Sequence, residues 1–188
     1  MSYRKKKRIT GSRSFKTPST CPLILLTVIL LFSAFSLFLS STMFQDHLVL
    51  SELFLYLSMS LLSLLIGIVA SYSRMNNKFE RILTLLVILV SITATMAFAY
   101  TTFQLYKDID DYEARNFNIV EGIPSSLTYD GSKNSTDYVS SITIQCKKVK
   151  VSHMNITVKY FNDYFNRKSI RINYLPHSKL AVSIEIYD

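Results

Sequence analysis

The stretch from Ile82 to Tyr106, ILTLLVILVSITATMAFAYTTFQLY, carries no Asp, Glu, Lys or Arg, and Arg81 and Lys107 close it on either side. A helix needs roughly 20 mostly apolar residues to cross a hydrocarbon layer of about 30 Å. Two more stretches meet that length. One is apolar from Cys21 to Phe44, and the other runs from Leu53 to Ser73 between Glu52 and Arg74. Three such helices buried in a soluble core would need a large polar shell, which 188 residues do not supply. The expected spans are therefore 21–44, 53–73 and 82–106, within a membrane segment covering 20–106. The first has the basic start of a secretory signal, and Ser40, Ser41 and Thr42 resemble a cleavage site. Its apolar run exceeds the 7–15 residues of a signal h-region, so it reads as an uncleaved first helix.

The flanks fix an expected orientation. Arg4, Lys5, Lys6, Lys7, Arg8, Arg13 and Lys16 precede the first span with no acidic residue, and Arg74, Lys78 and Arg81 join the second to the third. The first connection holds Asp46 and Glu52 but no cation, and Asp108, Asp110, Asp111 and Glu113 follow the third span. Basic loops stay in the cytoplasm. The N-terminus and second connection are thus expected inside the cell membrane, with the first connection and the tail, 107–188, extracytoplasmic. The composition agrees: 49% of residues are hydrophobic and only 18% charged, and of the net +8 the arm 1–19 contributes +7 and the tail +1. The arm has no apolar stripe and is expected to be disordered. Its seven cations suit anionic lipid headgroups. Nucleic acid is not an expected partner, because no aromatic residues interleave with the cations.

Within the spans, Ser63, Gly67 and Ser71 recur every four residues, as do Ser91, Thr95 and Ala99. Small residues at this spacing let helix backbones approach, since lipid gives no hydrophobic reason to associate. They suit a compact three-helix bundle, an oligomer or docking on another membrane protein. No ionisable residue lies in the central part of any span, and neither Pro nor a Gly pair interrupts one, which argues against transport by this chain alone. Tyr56, Tyr72, Tyr100, Phe103 and Tyr106 fall where aromatic belts form.

The third helix is expected to run on to about Arg115, and the tail then turns to β patterning. Phe117 to Ile123 reads as a first strand, and Leu127 and Tyr129 open a second. Asp130 to Ser135 is a turn with an Asp-Gly hairpin signal. From Val139 to Val151, Ile142, Ile144 and Cys146 alternate with Thr143, Gln145 and Lys147, the period of a half-buried strand. Val158, Phe161 and Phe165 share a helical face. Ile170, Ile172 and Tyr174, then Leu180 to Ile186, alternate as a hairpin around Pro176-His177-Ser178-Lys179. The expected fold is membrane α followed by an extracytoplasmic β-rich α+β domain: five or six antiparallel strands in one sheet or a partly open barrel, with one short helix.

Chemistry is sparse. Cys21 and Cys146 fall on opposite sides of the expected membrane, and Cys146 is expected on the buried face of its strand. A catalytic thiol would need His153 or His177 beside it. His47, His153 and His177 show no metal spacing, and the acidic run from Asp108 to Glu113 lacks the glycine and closing glutamate of a calcium loop. That run is expected to be a solvated helix exit. No catalytic motif, cofactor motif or metal motif is present in the sequence, so catalytic, cofactor-binding and metal residues are all expected to be none. Asn134 and Asn155 begin glycosylation triplets.

The tail, with Val120-Glu121-Gly122 early and Ile170-Arg171-Ile172-Asn173-Tyr174-Leu175-Pro176-His177-Ser178-Lys179 late, resembles uncharacterised small bacterial membrane proteins. Those carry a few N-terminal helices and a short outer β domain ending in a V-x-Y-x-P-x-S/N strand and turn. The resemblance implies architecture and no activity. The leading expectation is a non-enzymatic multi-pass protein that presents its tail to another membrane or envelope protein, a peptide or a ligand, in an accessory, sensory or immunity-type role. The alternatives are a subunit of a membrane transporter or enzyme complex whose helical bundle is the working part, and a hydrolase using Cys146 or a His–Asp pair.

Overall fold

The computed structural model describes residues 20–72, 77–130 and 137–187. The basic arm, the Gly131–Ser135 part of the expected turn and the triplet at Asn134 lie outside the described residues. Helix α1 (Thr20–Phe38) widens into a π-helical turn (Leu39–Met43), and α2 (Leu48–Ser71) and α3 (Lys78–Glu113) follow. All three are long and apolar enough to cross a membrane. Helix α2 begins five residues earlier than expected, because His47 caps it: Leu50 N–H donates to His47 Nδ1 at 3.3 Å. Glu52 therefore lies inside the helix. Asn77 caps the start of α3, its N–H donating to Glu80 Oε2 at 3.2 Å in a capping box.

Helix α2 packs against both α1 and α3, and the contacts are made by small hydroxylic residues. Ser33 and Ser58 hydroxyls stand 3.0 Å apart between α1 and α2, and Ser51 Oγ donates to Ser40 O at 3.2 Å. Between α2 and α3, Ser63 Oγ lies 2.9 Å from Thr95 Oγ1. A Cβ placed on Gly67 would stand 3.1 Å from Ser91 Cβ, so the absent side chain sets how closely the two backbones approach.

Beyond α3 come β1 (Asn118–Gly122), β2 (Ser126–Asp130), β3 (Tyr138–Ile144), β4 (Lys147–Lys150), a 3-10 turn (Ser152–Met154), α4 (Val158–Tyr164), β5 (Ile170–Tyr174) and β6 (Ala181–Ile186). Among the described residues the six strands form two antiparallel sheets, ordered β1-β5-β6 and β2-β3-β4, not the single sheet the alternation suggested. Both close on one core, in which Val120, Ile170 and Ile172 of the first sheet meet Val139, Ile142, Ile144 and Val149 of the second, with Phe161 of α4 across them. Burying such side chains contributes on the order of 1.5–3 kcal/mol each.

The expected strand from Val139 to Val151 is a hairpin. Gln145 (φ 49°) and Cys146 (φ 65°) both take left-handed backbone and make a two-residue turn between β3 and β4, which Asn-Gly would normally signal. The alternation of Ile142 and Ile144 leads into the turn and resumes after it in the opposite phase, with Val149 and Val151 buried; reading the run past that change of phase made it one strand. Cys146 is consequently exposed, not buried.

Candidate functional site

Three places merit attention: the join between the C-terminal domain and the helices, the groove beside β2, and the scattered Cys and His residues.

The join is built on the far end of α3. Leu105, Asp108, Ile109 and Tyr112 recur at helical spacing on one face. Leu105 is buried with Val49 and Leu53 of α2 and with Leu175 and Leu180 from the β5–β6 connection, while Ile109, Tyr112, Phe117 and Val182 pack around them. Asp108 sits within this face at 0% exposure. Its Oδ1 accepts the N–H of His177 at 3.0 Å and its Oδ2 that of Ser178 at 2.7 Å. The turn presents two consecutive amides to one carboxylate, a concave anion-binding arrangement of backbone dipoles. Lys179 completes the turn with φ 57°. The acidic run is therefore not merely a solvated exit: its first member is a buried cap. The sequence signal was available, since Asp108 falls three residues after Leu105 and next to Ile109 on the apolar side.

Asp108, Asp111 and His177 each bring one ligand-type atom within 4.8 Å of the others. Both Asp108 oxygens already accept amide hydrogens, and His177 Nε2 stands 3.9 Å from Asp111 Oδ2. The grouping closes the join. Nearby, burial lowers the pKa of the Lys150 ammonium, Glu52 pulls it back up and Lys179 adds to the lowering.

The groove of about 290 Å³ runs between β2 with its preceding loop and the end of α4. Ile123, Ser126, Leu127 and Tyr129 form one wall, and Asn162, Asn166 and Arg167 the other. Tyr160 and Tyr164 of α4 meet tilted, with ring centres 4.5 Å apart.

Of the residues singled out in the sequence, Ser63, Gly67, Ser91 and Thr95 meet at the α2–α3 contact. Ser71 and these four line an apolar groove of about 380 Å³ between the two helices, and Ala99 lines a separate hollow toward Leu53 and Phe103. Among the described residues, neither His153 nor His177 hydrogen-bonds to Cys146. Burial lowers the pKa of His153, with the Ala181 backbone opposing, and its Nδ1 has no partner. Asn155 is exposed in a left-handed turn. On the other sheet Arg171 pairs with Glu121 at 2.6 Å and lies over the Tyr187 ring. The hydrogen bond it donates to Glu121, more than the charge there, raises the guanidinium pKa further.

No protein-family model, curated protein or solved structure matches the chain.

Proposed function

We propose that the chain is a multi-pass membrane protein with a cytoplasmic N-terminus, and that its helices hold the C-terminal domain at the outer membrane face as a binding module for another envelope protein. The observation that carries this reading is the buried Asp108 cap. A domain tethered by a flexible linker needs no carboxylate sunk beneath its β5–β6 turn, whereas one presented in a fixed pose does. The acidic flanks of the first connection and of α3 support the orientation. The small residues of α2 and α3 are largely spent on contacts within the chain, which favours the domain over the bundle as the working part. The domain binds without covalent chemistry, and anionic lipid is the partner of the basic arm.

The test has two arms. With Cys21 replaced by Ser, the exposed Cys146 reacts with a membrane-impermeant maleimide on intact cells; labelling only after permeabilisation overturns the orientation. Photo-crosslinkers at Tyr129 and Tyr164 then recover one common protein that a crosslinker at Ile82, on the exposed side of α3, does not. Recovery of lipid alone from all three positions overturns the binding reading.

A further inference from the structure

Resting on that reading, we infer that the groove between β2 and α4 takes an extended segment of a partner protein, which adds as a strand to the edge of β2 and sets an acidic side chain on Arg167.

Strand β2 is the outer member of the order β2-β3-β4 and pairs with β3 alone among the described residues. Successive side chains of a strand point to opposite faces. Ser126 and Leu127, neighbours within β2, both reach the groove, as does Ser125 of the loop before them, so it runs along the strand's edge and not over one face. The opposite edge of that sheet is engaged differently: Lys150 N–H of β4 donates to Lys179 O at 2.8 Å, joining it to the β5–β6 turn. An unpaired edge with a helical wall facing it is the geometry that strand addition uses, main-chain hydrogen bonds giving affinity and flanking side chains giving selectivity.

The wall supplies the selectivity. Among the described residues lining the groove, Arg167 alone is charged, and none of the described acidic residues pairs with it. Asn162 and Asn166 beside it carry neutral amides that serve either polarity. A guanidinium fork matches a carboxylate, so an acidic side chain is the complement. Arg167 takes φ 61°, a left-handed conformation that Asn adopts with little strain. Arg167→Asn therefore removes the charge without disturbing the turn.

The experiment uses the full chain in nanodiscs and a fluorescent eight-residue peptide of alternating threonine and valine with one central glutamate. Its glutamine twin and versions N-methylated along one edge or the other are the comparators. The glutamate peptide is expected to bind about two- to fivefold more tightly than the glutamine peptide, the range of an exposed ion pair. Arg167→Asn erases that preference and Arg167→Lys retains most of it. N-methylation along one edge abolishes binding and along the other leaves it intact. Absence of binding, a preference that survives Arg167→Asn, or indifference to N-methylation on both edges overturns the inference. So does a Tyr129-to-Tyr129 crosslink between two copies, which would make the groove a self-contact. If photo-crosslinking finds a partner whose footprint lies outside the groove, the binding module stands and the strand-addition inference falls.

Discussion

Replacing Asp108 by Asn is expected to loosen the β5–β6 turn from α3 by about 2–3 kcal/mol. The carboxylate is fully buried and accepts two backbone amides, at 3.0 and 2.7 Å. Hydrogen bonds to a charged acceptor contribute about 1.5–3 kcal/mol each, and an orphaned buried donor costs about 1–3 kcal/mol. Asparagine keeps one accepting oxygen but turns an NH₂ toward the second amide, so one bond is lost and one donor is stranded. Alanine strands both, at about 3–5 kcal/mol by the same reasoning. Hydrogen exchange on the full chain in nanodiscs reads this directly at residues 177 and 178. At 1.4 kcal/mol per tenfold, the loss predicts exchange about 30- to 150-fold faster in Asp108→Asn. Asp111→Asn is the control. Its carboxylate is 3.9 Å from His177 Nε2 and one quarter exposed, so its removal should change exchange less than about fivefold. Equal effects from the two variants, or no change at 177 and 178 in Asp108→Asn, would refute the argument that the buried cap holds the domain.

Further outcomes follow from individual contacts. Gly67→Leu should part α2 from α3, because even a Cβ there meets Ser91 Cβ at 3.1 Å. Adding it to a chain that carries Ser63→Cys and Thr95→Cys should slow disulfide formation between those two positions at least about tenfold, and an unchanged rate counts against the close approach. His153 has a lowered pKa in the folded chain, so the unfolded chain takes up the proton first: stability is flat above about pH 6.5 and falls as pH drops below it. His153→Phe should flatten that slope in thermal midpoints between pH 7.5 and 5, and a slope that persists assigns the effect to another group. Replacing Gln145-Cys146 by Asn-Gly suits two positive-φ positions and should raise domain stability by about 1 kcal/mol, read as a rise in thermal midpoint. Phe161→Ala removes the ring that spans both sheets and should cost about 3–5 kcal/mol; a domain that still melts within a few degrees of the parent would show that the two sheets do not share that core.

The helices were legible because length and charge exclusion act through solvent alone. The interval from Arg81 to Lys107 needs no knowledge of neighbours to be read as a long apolar helix. Helix α4 was legible for a related reason: Val158, Phe161 and Phe165 share a face, and the same residues pack on the core. Where a change of phase was read past, the reading failed. A two-residue turn reverses the in-and-out phase, so Ile142 and Ile144 before it and Val149 after it all face the core, and the exposed pair Lys147-Lys148 marked a break that one strand from Val139 to Val151 ignores. The division into two sheets was hidden likewise, since period two reports which face is buried and not which strand is adjacent. Only the pairings of β1 with β5 and of β3 with β4 settle that.

Asp108 illustrates a harder limit. A run of four acidic residues after an apolar helix sets topology by its charge, and that reading assigns the same role to every member. The structure divides the run by helical phase. Asp108 turns inward with Leu105 and Ile109, whereas Asp111 meets His177 only at the rim. A buried carboxylate persists only where donors satisfy it, and here the donors are amides of a turn some seventy residues further along the chain. The turn's sequence, Pro176-His177-Ser178-Lys179, carries no charge signal that names its partner, because backbone N–H groups are common to nearly every residue. What the sequence did hold is the conflict itself: a carboxylate on the apolar side of an amphipathic helical turn must either face solvent or find donors. Such a conflict at the exit of an apolar helix marks the place where the following domain docks.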